Sequence, residues 1–500
     1  MAAPASSLSS PIPPSSSASF SPPSSILIIG SGVFGLGSAW SLARRDAFSQ
    51  CSITVVDRSD AVQPDVFPAR DAASVDTSRI IRADYADPAY AALAAEAQVQ
   101  WRKQAKPEDL GAQGRYHESG LVLVADAPLP TSLQNLDNTN ADRFKKKTGM
   151  EYVRDSWENV RSMASIDPNM AGRVRELPDV AAIREAAGTG GSSGAWGYVN
   201  ESSGWADAGA SMAWLYDQVR QTGRVTFISG TVTSLEHHDN TVTGAKLSDG
   251  RVLSADLVIL AAGSWTGALL DLSGQATATG QVLGYLDLTE EEQQRLSKMP
   301  VLLNFSTGLF VIPPSNRVLK FARHAYGYIN PTTLGTAPLP SSPKASITPL
   351  SLKISQTYTQ VSDPTLSIPA EGEQDLRRAL REMVPLPGLE DRPFTKTRLC
   401  WYMDTPTADF LIDYQPHWQG LFIATGGSGH AFKFLPVIGD KIVDCIMRNC
   451  PAEFKEKWAW KQAPEGASSE DLIVTEDGSR GGRPGLILAE QLGRPLVVLN

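Results

Sequence analysis

The chain has 500 residues, 42% hydrophobic and 20% charged, enough to bury one large core or two ordinary ones without disulfide staples. A formal net charge of -9 and a pI near 5.3 exclude nucleic acid as a partner, because phosphate binding needs a concentrated excess of Lys and Arg. No apolar run approaches the roughly 20 residues of a membrane-spanning helix, and Cys51, Cys400, Cys445 and Cys450 have no repeated spacing, so neither a membrane nor a disulfide framework is expected.

Residues 1–24 are dominated by Ser, Pro and Ala and carry no charge; such a segment cannot offset its ordering entropy and reads as a disordered tail. It lacks the basic start and apolar centre of a signal peptide. The chain ends LVVLN, not in an SKL-type address, which favours a cytoplasmic over a peroxisomal location. Order is expected from Ile26. There ILIIG reads as a buried strand, a helical stretch follows with Val33, Leu36, Trp40 and Ala43 on one face, and ITVVD is a second buried strand. Gly30, Gly32 and Gly35 stand in the turn of this βαβ unit, where glycines permit a tight turn, close approach of a pyrophosphate and close helix packing. Asp57 closes the second strand, where a carboxylate can accept from ribose hydroxyls. Ser31, Val33 and Phe34 of the turn and Arg58 beyond the acid complete the candidate dinucleotide cradle. The alternative is an ordinary glycine-rich turn with an exposed acid.

Residues 225–260 read as strands joined by Asp-Asn and Asp-Gly turns, ending in an apolar strand at Leu257–Leu260. The segment ADLVILAAGSW, with Gly263 after two small residues, has the pattern of a strand passing a flavin, or else of a buried strand ending in a turn. GLFIATGGSGHAFKF gives strand and Gly-rich turn, with a helix from about Val437. The expected division is a cofactor domain from 25–115, 205–275 and 396–450, a substrate domain from 116–204 and 276–395, and a wrapping tail at 451–500 to which no chemistry is assigned. His117, His237, His238 and His417 have no paired ligands at metal spacing, so no metal site is expected. No GxSxG nucleophile elbow between a strand and a helix and no HExxH is found, which removes support for hydrolase chemistry.

Three segments carry a family resemblance: SRIIRADYADPAYAALAAEAQVQWR at 78–102, LCWYMDTPTADFLID at 399–413 and ATGGSGHAFKF at 424–434. Together, and in order from about Ile26 to Ile446, they resemble the sarcosine oxidase family of flavin amine oxidases, which includes pipecolate, fungal saccharopine and fructosyl amino acid oxidases. The resemblance implies an α/β protein, with a Rossmann-type FAD-binding domain and an interleaved substrate domain built on a mixed β-sheet. It implies FAD joined covalently through its 8α-methyl group to Cys400, an oxygen-activating Lys320, an active-site His324, and Arg79 near the flavin. Arg82 and Lys433 match a clamp for the substrate carboxylate, while Ser78, Val232, Gly429, His430, Phe432 and Lys433 fall on flavin-contacting positions. Taken without the family, Cys400 reads as a core cysteine, Lys320 as a solvent-facing strand lysine, His324 as a surface histidine, and Arg79 and Arg82 as salt-bridged.

The implied reaction is oxidation of a secondary amine or N-substituted amino acid: hydride passes from the C–N carbon to the flavin, an imine forms, and oxygen is reduced to hydrogen peroxide by a monomeric enzyme. Two departures stand out. Ala431 replaces a usual glycine, and Phe310 stands where sarcosine oxidases tend to have tyrosine, which puts sarcosine itself in doubt and favours a larger or aromatic amino-acid derivative. Other readings are a tailoring oxidase acting on an amino-acid-derived pathway intermediate, a dehydrogenase using another acceptor, and a catalytically inactive flavin-binding protein.

Overall fold

In the computed structural model, which describes residues 20–58, 67–69, 72–128, 147–168, 170–333, 338–342, 353–355, 368–462 and 472–493, the apolar run Ser25–Ile29 lies inside a six-stranded sheet. The strand order is Leu411–Tyr414, Leu421–Thr425, Leu257–Leu260, Ser25–Ile29, Ser52–Asp57, Val225–Ser229. All neighbours are parallel except Leu411–Tyr414, which runs antiparallel to Leu421–Thr425. Side chains alternate across a strand, so Ile26 and Ile28 enter one core and Leu27 and Ile29 another. Helices Val33–Arg44, Ala208–Gln221 and Ile438–Ile446 cover the first face. A three-stranded antiparallel sheet, Val232–His238, Thr241–Leu247 and Val252–Ser254, covers the second. Burial on both faces is why these strands read as continuous apolar runs.

The second layer is a ten-stranded mixed sheet. Thr277–Asp287 is its longest strand and pairs with Val318–Arg323 on one side. Helix Ala370–Met383 closes its outer face with Leu376, Ala379, Leu380 and Met383, an i, i+3, i+4, i+7 stripe. This arrangement is the α/β architecture expected from the sequence, with two boundary corrections. Strand Lys396–Asp404, assigned above to the cofactor domain, pairs along nine residues with Thr277–Asp287 and so belongs to the mixed sheet. Residues 20–24, counted above in the disordered tail, are anchored: Phe20 packs on Phe48 at 5.9 Å and Ser24 accepts from the Ser52 backbone N–H. Residues 1–19 and most of the Pro-bearing loop expected after residue 330 lie outside the described residues. Among the described residues no helix is long and apolar enough to cross a membrane.

Candidate active site

Two cavities meet where the sheets approach. The larger, about 280 Å³, begins at the first βαβ turn and is lined there by Gly30, Ser31, Gly32, Val33 and Phe34. A Cβ on Gly30 would sit 2.4 Å from the Ala261 carbonyl oxygen, and one on Gly35 would sit 1.8 Å from that of Gly30. Gly32 differs: its open side meets nothing nearer than Ser74 Oγ at 4.0 Å, leaving bare backbone toward the cavity at the start of helix Val33–Arg44. That is the cradle a pyrophosphate requires. Asp57 lines the next stretch, its carboxylate accepting from the Ser31 N–H at 2.7 Å, from the Ser31 hydroxyl and from the Arg58 N–H. Beyond it the Arg58 guanidinium lies 4.2 Å over the Trp265 ring, and Val232 and Gly263 complete the wall. Trp265, an uncharged wall at this end, was not singled out from sequence. The residues present therefore fit a long dinucleotide.

The smaller cavity, about 80 Å³, shares Arg79, Tyr402, Gly429 and Phe432 with the larger one. Cys400, Lys320, His324, Arg82, His430 and Lys433 line it, so nine of the candidate residues, scattered from 79 to 433, converge at one junction. Ser78 and Gly35 line neither cavity; Gly35 packs under the turn, and the Ser78 carbonyl accepts from Lys320 Nζ at 2.5 Å. Gly429 (φ +69°) lies against Tyr402, where a Cβ would come within 2.3 Å of the ring. The Gly-rich turn is thus pressed onto the aromatic face it borders.

The electrostatics of the junction are dominated by cations. Arg82 is buried, its guanidinium lying 4.7 Å from the Tyr85 ring and 5.2 Å from that of Phe305, and its Nη1 has no hydrogen-bond partner. Lys433 donates to Tyr85 Oη and to the His430 carbonyl, both at 2.9 Å. Burial and the Arg82 charge hold the Lys433 ammonium well below the usual lysine range. His430 Nε2 lies 2.8 Å from the Ala408 carbonyl, which can only accept, so that nitrogen carries the proton and Nδ1 accepts from Tyr85 Oη at 2.9 Å. Burial, then Arg480, pushes His324 well down, leaving it neutral.

Lys320 is not solvent-facing. Its Nζ is 2.7 Å from Asp76, and burial together with Arg79 outweighs that partner and brings the ammonium down to about 7. Arg79 also pairs with Asp76 and donates to Cys400 Sγ at 3.4 Å.

Two residues of the site escaped the sequence reading. Asp76 is one. The other is Arg480, in the tail to which no chemistry was assigned: its Nη1 lies 2.7 and 2.8 Å from the two His324 ring nitrogens, and its Nη2 donates to Asp404 at 2.6 Å and to the Ser428 carbonyl at 2.8 Å.

Among known proteins, the chain is 34% identical over 466 residues to the amino acid oxidase imqH of Aspergillus flavus, covering 85% of this chain and 93% of that one. It is 33% identical over 486 residues to the amino acid oxidase fsqB of Aspergillus fumigatus, with the same coverage. The crystal structure of the deglycating enzyme fructosamine oxidase (Amadoriase II) from Aspergillus fumigatus superposes with a TM-score of 0.69 at 26% identity, covering 93% of this chain and 95% of that chain. The family model for DAO, FAD dependent oxidoreductase, matches residues 25–445, a span that contains the glycine cradle, the junction and every candidate residue named from sequence, and the chain belongs to that family.

Proposed function

We propose that the protein is an FAD-dependent oxidase of a carboxylate-bearing amine, an amino acid or N-substituted amino acid, acting on its CH–NH bond with oxygen as acceptor. The observation that carries this reading is the pair Arg82 and Lys433: two buried cations facing a cavity whose described lining contains no carboxylate. Behind the lining the buried Asp84 carboxylate faces both cations, one acid for two charges; buried charge without a full partner is costly, and an anion delivered by the substrate offsets that cost, preferably across the planar fork of the arginine. The same positive field repels a substrate ammonium and so favours the neutral amine, the form from which electrons can leave. FAD held in the larger cavity supplies the chemistry of accepting the electron pair and passing it to oxygen, with hydrogen peroxide as product.

The protein's own residues position and charge this site. Cys400, with Arg79 donating to its sulfur, borders the junction of the two cavities, and we assign it as the point of covalent flavin attachment. Lys320 supplies a cation where negative charge develops on oxygen. Leu283, Leu303, Phe305, Phe310 and Ile312 make up the apolar part of the same lining, which favours a substrate with an apolar or aromatic side chain. The relatives named as amino acid oxidases support the same class.

The test is anaerobic addition of N-methyl, cyclic, N-carboxyalkyl and aromatic amino acids to the yellow holoenzyme, followed by air. Bleaching by one class, with colour and peroxide returning in air, is the expected outcome. Colour should stay with the acid-precipitated wild-type chain and leave that of Cys400→Ala. A flavin that none of the carboxylates bleaches would remove the reading.

A further inference from the structure

One buried carboxylate beside the junction takes no part in binding substrate. Asp76 is 3% exposed at its side chain, as is Lys320. Its Oδ2 receives Lys320 Nζ at 2.7 Å and also Arg79, while its Oδ1 accepts from Tyr285 Oη at 2.7 Å and from the Thr77 N–H at 2.7 Å. Tyr285 is the cross-strand partner of Lys320. Arg398, two residues before Cys400, donates to the carbonyls of Val75 and Ala72 and so holds the segment before Asp76 against the strand that carries the cysteine. Arg79 reaches on from Asp76 to Cys400. The charged and titratable groups around Lys320 are therefore Asp76, Arg79, Tyr285 and Cys400, with Arg398 acting on Asp76.

We propose that Asp76 is a positioning residue for Lys320: it keeps the buried ammonium charged and aimed at the junction, and thereby determines the pH range over which the enzyme reacts with oxygen. The inference rests on the oxidase reading given above. Without Asp76, Lys320 would retain only the Ser78 carbonyl, in a dry site next to a fixed Arg79 charge, and both burial and the like charge favour loss of its proton. Burial alone would raise Asp76, yet Lys320, Arg79 and Arg398 hold it well below the usual carboxylate range, so the carboxylate is charged at neutral pH. Lys320 is pushed down to about 7 even with this partner in place. A lysine is cationic below its pKa, so reoxidation should slow as pH rises through that value.

The experiment uses holoenzyme reduced photochemically, so that no substrate is needed, and mixes it with oxygen between pH about 6 and about 9. For Asp76→Asn we expect reoxidation about tenfold or more slower than wild type near pH 8.5, with recovery to the wild-type rate or above near pH 6, where two cations are then present. Reduction by substrate should change by less than about threefold. Affinity for sulfite, whose flavin adduct is anionic, is an equilibrium readout and should weaken in the same pH-dependent way. Tyr285→Phe removes a hydrogen bond from the carboxylate, strengthens its pull on Lys320 and should move the profile up by about half a unit. That opposite shift keeps the proposal testable if Asp76→Asn does not hold FAD. A wild-type profile in both variants, or a loss equal at every pH, would overturn it. If wild-type reduced enzyme fails to react with oxygen at all, the oxidase reading falls instead.

Discussion

Lys433 shows how a single residue can be read as prepared for a ligand. Both of its hydrogen-bond partners, Tyr85 Oη and a backbone carbonyl, are neutral, and of the nearby charges Arg82 acts on it more strongly than the opposing Asp84 carboxylate. Its pKa is depressed by burial first and Arg82 second, so it gives up its proton more readily than an ordinary lysine. A carboxylate entering the clamp reverses both effects and draws a proton onto the amine. Binding of a carboxylate substrate should therefore take up a proton, and affinity should fall as pH rises through the depressed value. The dissociation constant of an unreactive carboxylate analogue, measured by flavin spectral shift, is expected to rise with pH. Lys433→Met should weaken binding by about 1.5–3 kcal/mol, the worth of a charged hydrogen bond, and flatten the pH dependence. The same slope for wild type and for Lys433→Met would rule out the lysine as its source.

At the scale of elements, the cofactor cradle depends on how closely helix Val33–Arg44 meets helix Ile438–Ile446. Gly439 lies against Gly37 so tightly that a Cβ on it would fall 2.0 Å from the Gly37 carbonyl oxygen. Only backbone can move to relieve that contact. Gly439→Ala is expected to cost about 1–3 kcal/mol of stability, the usual range for overpacking, and to displace the start of the first helix, weakening FAD retention as well. Urea midpoints and flavin release on dilution measure the two effects; an unchanged midpoint would show that the helices part freely. This first helix was legible in the sequence because local signals coincide: a buried strand, three glycines and an apolar stripe within 20 residues of chain. Strand Lys396–Asp404 entered the sequence analysis only through the family resemblance and was placed in the cofactor domain, since its apolar residues and Cys400 do not say which sheet they join. Asp76 was silent for a related reason. Its role exists only when Lys320 arrives from 244 positions away, and neither propensity nor period records such a meeting.

For the whole molecule, the same blindness concealed the function of the tail. Residues 451–500 have little periodicity, and the described ones, 451–462 and 472–493, are held by contacts with elements from elsewhere in the chain. Trp458 stacks on Phe454 and donates to Tyr90 Oη, Leu486–Ile487 joins the edge strand Tyr328–Ile329, and between them Arg480 enters the junction with 1% of its side chain exposed. Asp404, at 4%, is its acid partner, and Asp404 also accepts from Thr279 on the central strand of the mixed sheet. The tail is thus tied behind His324, a residue of the smaller cavity's lining, by a deeply buried ion pair. Breaking such a pair from one side costs about 3–5 kcal/mol because the other charge stays behind, whereas neutralising both sides costs less. Arg480→Met alone should lower stability by that amount and Arg480→Met with Asp404→Asn by clearly less, a coupling that urea denaturation of the four chains of the cycle measures. Equal losses for the single and double variants would mean that the tail is held by its apolar contacts and that Arg480 serves only the cavity.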